Sequence, residues 1–129
     1  MIIMDPIIIS AKEDTPEVKL DAANNNFEMS GRSLPEDVVK FYKPILHWLD
    51  EYAQSPNEKT VFEFKLSYFN TASSKIILDI MMKLEEIHNG GHDITIKWYY
   101  PSDDEDMMEA GEEYADIVDI PIELVKADF

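Results

Sequence analysis

Changes of periodicity in the middle of the chain constrain its fold more than any other feature. Over residues 61–68 apolar and polar residues alternate, which is the pattern of a strand with one face on a core. Over residues 72–87 the apolar residues recur at helical spacing, and the run Asn-Gly-Gly at 89–91 supplies a stop. Residues 94–100 alternate again. Strand, helix and strand with short connections predict a βαβ unit whose two strands lie parallel in one sheet.

The segment before this unit predicts a hairpin and a helix. Residues 17–22 and 27–31 have the character of short extended pieces, and a turn-prone run of three asparagines at 24–26 separates them. Ser33 precedes Glu36 at the spacing of a capping box, so a helix is predicted to start there. Pro44 lies inside this helix, and we expect it to kink or split the helix.

The segment after the unit predicts a short acidic helix and a last strand. Ser102 and Glu105 repeat the capping-box spacing, and the helix should run to about residue 115. Residues 117–125 should form a strand, in which Pro121 indicates a sheet edge or a bulge. Because the strands alternate instead of being continuously apolar, we expect an α/β fold: a mixed sheet of about five strands, with about three helices mainly on one face. No linker or repeat divides the chain, so one domain spanning residues 1–129 is predicted.

Charge and composition narrow the classes of partner. Twenty-seven acidic residues against 11 basic ones give a net charge of −16, which repels nucleic-acid phosphates and anionic membrane surfaces. Cysteine is absent, which excludes disulfides, thiol catalysis and cysteine-ligated metals. Residues 1–9 have no basic n-region and are too few to span a membrane, so we expect neither a signal peptide nor a membrane helix, and a cytoplasmic location.

Enzyme and metal-site motifs are missing from the sequence. There is no phosphate-cradling glycine loop, no G-x-S-x-G elbow and no H-E-x-x-H, so no catalytic residue, cofactor or enzymatic activity is predicted. His88 and His92 have the spacing of helical metal ligands, but Gly90 and Gly91 interrupt the helix between them. The acidic run 103–113 lacks the spacing and glycine of a calcium loop, which favours a solvated helix face.

Small polar residues cluster at the turn between the first strand and the helix of the βαβ unit. Asn70, Thr71, Ser73 and Ser74 all lie at a helix N-terminus, where four backbone N–H groups lack partners within the helix. Capping explains one of these residues, since asparagine and threonine are preferred N-caps. A helix N-terminus also favours an added phosphate, so the same turn is a candidate phosphoacceptor. The residues alone leave both interpretations open.

Segments along nearly the whole chain, from about residue 8 to 125, resemble a known family. They are Gly31 to Glu36 (GRSLPE) before the first helix, Tyr68 to Lys75 (YFNTASSK), the helix that follows with Asp79, Leu84, Glu85 and Glu86, the pair Gly90-Gly91, and Trp98-Tyr99-Tyr100. In this order they are similar to the SiaC family of bacterial regulatory phosphoproteins. More distantly, the arrangement resembles the STAS domains of anti-sigma-factor antagonists, although the glycine usual after their phosphoacceptor is missing.

The resemblance implies a phosphorylation cycle. A serine/threonine kinase would modify the threonine of the family motif, which is Thr71 here, with Ser73 as the fallback acceptor. A PP2C-like phosphatase would remove the phosphate, and the unmodified form would bind and activate an output protein such as a diguanylate cyclase. Ala72 stands where the family more often has serine. The partner contacts implied around the phosphoacceptor are Tyr68, Asn70, Ala72, Ser73, Ser74 and Lys75.

Two other functions remain open at this point. One is a small ligand-binding domain or hydrolase that uses Tyr68, Asn70 and the carboxyl ends of the parallel strands, where open α/β sheets usually bind ligands. A deep pocket with convergent polar groups would favour it, whereas a flat, partly apolar patch around Thr71 would favour partner binding. The other is a DNA-mimicking inhibitor, which requires a continuous ribbon of carboxylates on one face.

Overall fold

Six strands and three helices alternate along the chain in the computed structural model, which describes residues 4–127. The strands are β1 (Ile7–Ile9), β2 (Glu17–Asp21), β3 (Asn26–Ser33), β4 (Lys59–Phe69), β5 (Asp93–Tyr100) and β6 (Ile122–Lys126). The helices are α1 (Val38–Tyr52), α2 (Thr71–Asn89) and α3 (Glu105–Ile117). None of the helices in this described part of the chain is long and apolar enough to cross a membrane.

The strands lie in one sheet in the order of the chain, from β1 at one edge to β6 at the other. The strands β1, β2 and β3 pair antiparallel, which confirms the predicted hairpin. The pairs β3–β4, β4–β5 and β5–β6 are parallel, and one helix connects each pair. The predicted βαβ unit is therefore confirmed as β4–α2–β5. Since successive crossovers step in the same direction and share one hand, all three helices lie on one face of the sheet.

Alternation along the strands separates a buried face from an open one. In β4 the residues Phe62, Phe64 and Leu66 are buried beneath the helices, while Glu63 and Lys65 lie partly exposed on the other face. The apolar faces of the three helices complete this core, as the helical spacing predicts. The carboxyl ends of the four parallel strands meet at one edge, from which α1, α2 and α3 begin. The predicted mixed α/β sheet with helices on one face is confirmed.

The strand count differs by one from the prediction of about five. The additional strand is β1, which pairs with β2 through Ile7, Ile8 and Ile9. Three consecutive isoleucines carry no alternation, so periodicity cannot separate this strand from any other short apolar run. At the opposite edge, Ile117 ends α3 and the last strand begins only at Ile122. The predicted edge position of that strand is correct.

Both predicted capping boxes are wrong. The α1 cap is Asp37, whose carboxylate accepts the N–H of Lys40 at 3.1 Å, and Ser33 is instead the last residue of β3. An N-cap carbonyl has to accept the first bond of its own helix, but the Ser33 carbonyl accepts the N–H of Asn70 at 3.1 Å. Likewise α3 is capped by Asp104, two residues after Ser102.

Pro44 neither ends nor divides α1. The helix is continuous from Val38 to Tyr52, and Pro44 lies on its exposed side. Because proline removes one backbone N–H from the helix, a solvent-facing position lets water hydrate the carbonyl that loses its partner. Of the two predicted effects of Pro44, the split is wrong because the helix is continuous, and the kink stays a prediction.

Candidate functional site

The turn between β4 and α2 is closed by Asn70. Its side-chain oxygen accepts the N–H of Ser73 at 2.8 Å, and its carbonyl accepts the N–H of Ser74 at 3.0 Å. These contacts satisfy two of the N–H groups that a helix N-terminus leaves without partners. The structure thus confirms capping at this turn, and it assigns the cap to Asn70 alone.

Thr71 is the first residue of α2, and its side chain is exposed. Its hydroxyl makes no hydrogen bond with any other residue between 4 and 127, whereas its carbonyl accepts the hydroxyl of Ser74 at 2.6 Å. Ala72 and Lys75 are exposed on the same turn. The turn therefore offers solvent one uncommitted hydroxyl, which belongs to Thr71.

Ser73 has the opposite environment. It is fully buried, its hydroxyl donates to the Ser33 carbonyl at 2.9 Å, and the Ser33 hydroxyl lies 2.8 Å from the Ser73 hydroxyl. The Ser33 hydroxyl in turn lies 2.5 Å from the hydroxyl of Tyr42, also fully buried, on α1. Burial raises the pKa of Tyr42, so this hydroxyl keeps its proton at neutral pH. The predicted fallback acceptor is thus enclosed within a network of three buried hydroxyls.

The helix α3 lies beside the same turn. The hydroxyl of Tyr114 donates to the Ser74 carbonyl at 2.8 Å, and burial raises the pKa of this tyrosine as well. The Trp98 indole N–H of β5 donates to the carbonyl of Met107 at 2.8 Å, which holds the start of α3 on the sheet. The surroundings of Thr71 therefore include the acidic helix, although the sequence places the two segments more than thirty residues apart.

Tyr68 lies at the rim of the open sheet face, three residues before Thr71, and is 46% exposed. The Arg32 guanidinium carbon lies 5.5 Å from the centre of its ring, a cation–π contact between the ends of β3 and β4. Beside Tyr68, a depression of about 220 Å³ is lined by Ser67, Tyr68, Phe69, Asp104, Asp106 and Met107. Ligand pockets usually enclose about 300–1,000 Å³. The depression beside Tyr68 is smaller than this range and partly apolar, which favours partner binding over a deep ligand pocket at this position.

The open sheet face alternates in charge. The Glu28 carboxylate lies 3.8 Å from the Lys19 ammonium and 3.5 Å from that of Lys65. The Tyr99 hydroxyl donates to Glu63 at 2.5 Å, and this hydrogen bond, with burial and nearby carboxylates, raises the pKa of Tyr99 to about 12. Lysines interrupt the carboxylates, so this face does not form the continuous anionic ribbon that DNA mimicry requires.

No group of three or more His, Asp or Glu side chains suited to hold a metal occurs among the described residues 4–127. The helix α2 ends at Asn89, between the two histidines that have ligand spacing. The Nδ1 atom of His88 lies 3.2 Å from the backbone carbonyl of His92. The predicted acidic helix is observed as α3, with Glu105 and Asp106 in its first turn. That position complements the helix dipole.

Sequence and fold both match a known family. The family model for SiaC family regulatory phosphoproteins matches residues 9–127. The chain belongs to the SiaC family. It is 26% identical to a Pseudomonas aeruginosa protein, Uncharacterized protein PA14_02130 (strain UCBPP-PA14), over 125 residues that cover 97% of this chain and 99% of that protein.

Solved SiaC structures have the same fold. Apo-SiaC from Pseudomonas aeruginosa is 26% identical, with a TM-score of 0.85 over 95% of this chain and 99% of that one. A second match is a chain in the crystal structure of the diguanylate cyclase SiaD in complex with its activator SiaC, also from Pseudomonas aeruginosa. That chain is 25% identical, with a TM-score of 0.87 over 94% of this chain and 99% of that one. The resemblance stated from the motifs is therefore confirmed at both levels.

Sequence reasoning missed three residues that this SiaC family fold brings to the turn. Ser33 is predicted as a helix cap, and no functional role is predicted for Tyr42, yet the hydroxyls of both residues are hydrogen-bonded beneath α2. Arg32 belongs to the GRSLPE segment that carries the family resemblance, but the sequence gives no sign of its contact with Tyr68. Contacts of this kind join β3, α1 and α2 and have no local pattern.

Proposed function

We propose that this SiaC family protein is a non-enzymatic partner-switching regulator whose phosphoacceptor is Thr71. A serine/threonine kinase phosphorylates Thr71, a PP2C-like phosphatase removes the phosphate, and the unmodified form binds and activates an output protein. The complex of Pseudomonas aeruginosa SiaC with the cyclase SiaD makes a diguanylate cyclase the leading candidate for that output. A cycle that consumes ATP places the protein in the cytoplasm.

One observation carries the choice of Thr71. Among the three hydroxyls of the turn, that of Ser73 is fully buried and that of Ser74 donates to a backbone carbonyl, while that of Thr71 is exposed and uncommitted. A kinase has to reach the acceptor oxygen in line with the γ-phosphate of ATP. The accessible hydroxyl of Thr71 meets this requirement in the folded chain, and Ser73 does not.

The electrostatics of α2 favour the modified state. The first turn of α2 contains no acidic residue, so no carboxylate of this turn compensates its N–H groups and dipole. A phosphate adds about −1.5 to −2 charges and three acceptor oxygens at this point. The helix end stabilises the added charge, and the modification needs no change of fold.

The charge of the added phosphate also explains how phosphorylation would release the output protein. Thr71, Lys75, Asp79 and Met82 follow one another along the exposed side of α2, and Met82 is 50% exposed. An output protein that packs on this stripe has to exclude water from its apolar part. A phosphate at the end of the stripe repels such a partner because its charge would have to be desolvated.

The experiment is phosphate transfer to the full chain. A serine/threonine kinase that labels the wild-type chain is incubated with radiolabelled ATP and either the wild type, Thr71→Ala or Ser74→Ala. We expect incorporation near one phosphate per chain in the wild type and in Ser74→Ala, and none in Thr71→Ala, with unchanged circular dichroism. Undiminished labelling of Thr71→Ala would contradict the assignment. Loss of cyclase binding on phosphorylation, measured by calorimetry, tests the switch.

A further inference from the structure

Three hydroxyls are buried beneath the phosphoacceptor turn in an otherwise apolar core. The fully buried polar side chains between residues 4 and 127 are Ser33, Thr60 and Ser73, and two of these three lie here together with the hydroxyl of Tyr42. Burying a hydroxyl costs free energy unless it is hydrogen-bonded, so each of them has to find a partner within the group.

The hydrogen bonds of this group run in one direction. The Ser73 hydroxyl has one proton, which it donates to the Ser33 carbonyl, because a carbonyl can only accept. Ser33 must therefore donate its own proton to the oxygen of Ser73. No proton of Ser33 remains for Tyr42, so the tyrosine is the donor in the 2.5 Å contact. The chain of donors begins at Tyr42 on α1 and ends on the backbone of β3.

Capping does not account for this arrangement. Asn70 already caps α2 through the N–H of Ser73. Two additional bonds come from Asn70, just before Thr71, and from Ser73, two residues after it. The Ser33 carbonyl accepts both the N–H of Asn70 and the hydroxyl of Ser73. The backbone of Thr71 is held from both sides, while its own hydroxyl is left uncommitted.

We propose that Tyr42 is a positioning residue for Thr71. The Tyr42 hydroxyl orients Ser33, and Ser33 in turn orients Ser73. In this way α1 sets the direction in which the Thr71 hydroxyl points from the turn. The proposal rests on the proposed function in that Thr71 is taken as the phosphoacceptor. Tyr42 is fully buried and touches no kinase, so its effect reaches the reaction only through the geometry of the turn.

The same helix provides a matched control. Tyr52 is also buried on α1, its hydroxyl lies 2.7 Å from that of Thr60, and burial raises its pKa as it does that of Tyr42. Its oxygen also accepts the N–H of Asn57 at 3.0 Å. Tyr52→Phe therefore removes at least as many hydrogen bonds as Tyr42→Phe, but away from Thr71.

The first test compares phosphate transfer to Tyr42→Phe and Tyr52→Phe. We expect kcat for phosphorylation of Tyr42→Phe to fall on the order of tenfold, since small misplacements of reacting atoms are costly. The KM should stay within about twofold of wild type because the surface that meets the kinase is intact. Tyr52→Phe should keep both constants, with a loss of Tm at least as large. Equal kcat values for the two variants would overturn the proposal.

The second test needs no kinase and separates this proposal from the proposed function. Amide hydrogen exchange is measured at Ser73 and Ser74, whose N–H groups are bonded to Asn70. Exchange at these amides should be about tenfold faster in Tyr42→Phe and unchanged in Tyr52→Phe after correction for global stability. Ser73→Ala should reproduce the Tyr42→Phe result if the latter folds poorly. Unchanged exchange in Tyr42→Phe refutes the positioning role even if Thr71 is phosphorylated. Faster exchange in Tyr42→Phe, with no phosphate incorporated at Thr71 of the wild type, refutes only the assignment of Thr71 as the phosphoacceptor.

Discussion

The N-termini of α2 and α3 have nearly the same capping hydrogen bond but differ in charge. Asn70 accepts the N–H of Ser73 at 2.8 Å, and Asp104 accepts the N–H of Met107 at 2.9 Å. Both helices begin where a parallel strand ends, at the same edge of the sheet. The first turn of α3 contains Glu105 and Asp106, whereas the first turn of α2 contains no acid.

This difference favours the start of α2 over that of α3 as the proposed site of phosphorylation. A helix N-terminus carries about half a positive charge, which nearby carboxylates compensate within the first turn. At α3 the cap and two further carboxylates already do so, and an added phosphate would be repelled. At α2 the cap is a neutral amide and the dipole is uncompensated, in a chain of net charge −16 that has acids in abundance.

The two helix starts are also attached to the core by different means. The hydroxyls of Ser33 and Ser73 hold the start of α2. The start of α3 is held by the bond from the Trp98 indole N–H to Met107, and the middle of α3 by close packing, since a Cβ atom at Gly111 would lie 2.5 Å from Cδ1 of Trp98 and 2.6 Å from Cδ2 of Leu124. Buried hydroxyls orient the start of α2, whereas hydrogen bonds and close packing together hold α3.

The largest expected effect is on the packing of α3. Gly111→Ala places a methyl group against Trp98, which is fully buried and bonded to the Met107 carbonyl and so cannot move aside. Overpacking typically costs about 1–3 kcal/mol, against a gain of up to about 1 kcal/mol from helix propensity. We expect a lower free energy of unfolding in urea, with Glu112→Ala as the neighbouring control. A variant as stable as wild type would show that α3 is not seated by this contact.

A smaller effect is expected from removing the caps. Asn70→Ala and Asp104→Ala each delete a side chain that accepts the N–H at the third position of its helix, so each should lower the free energy of unfolding by about 1 kcal/mol. Chemical denaturation of the two variants side by side measures the comparison directly. A negligible loss for Asn70→Ala alone would mean that the buried hydroxyls hold the start of α2 without the cap.

The smallest effect isolates charge from capping. Asn70→Asp keeps a capping oxygen and adds a charge, while Asp104→Asn keeps the oxygen and removes one. We expect the first to stabilise and the second to destabilise by about 0.3–1 kcal/mol each at low salt, because only the interaction with the helix dipole changes. Both shifts should shrink in 1 M salt, where charges are screened beyond about 3 Å. Shifts of the same sign would contradict the electrostatic difference between the helices.

Local patterns predicted the elements that local physics decides. Alternation over 61–68 and 94–100 identified β4 and β5, helical spacing identified α2, and the small polar residues at 70–74 identified a helix start. The two capping boxes failed for a shared reason. The true caps, Asp37 and Asp104, lie closer to their helices than the predicted serines do. The spacing between a serine and a glutamate also does not show which backbone carbonyls already accept hydrogen bonds from other segments.

By itself the sequence determined the α/β class, the βαβ unit and the turn that carries Thr71, because periodicity and capping act over a few residues. The roles of the hydroxyls in that turn were decided by tertiary structure. The residues of the turn, without the family resemblance, do not separate Thr71 from Ser73 as the acceptor. The two residues differ because β3 and α1 bring Ser33 and Tyr42 over one of them and leave the other in solvent, and pairing across 40 residues has no local signature.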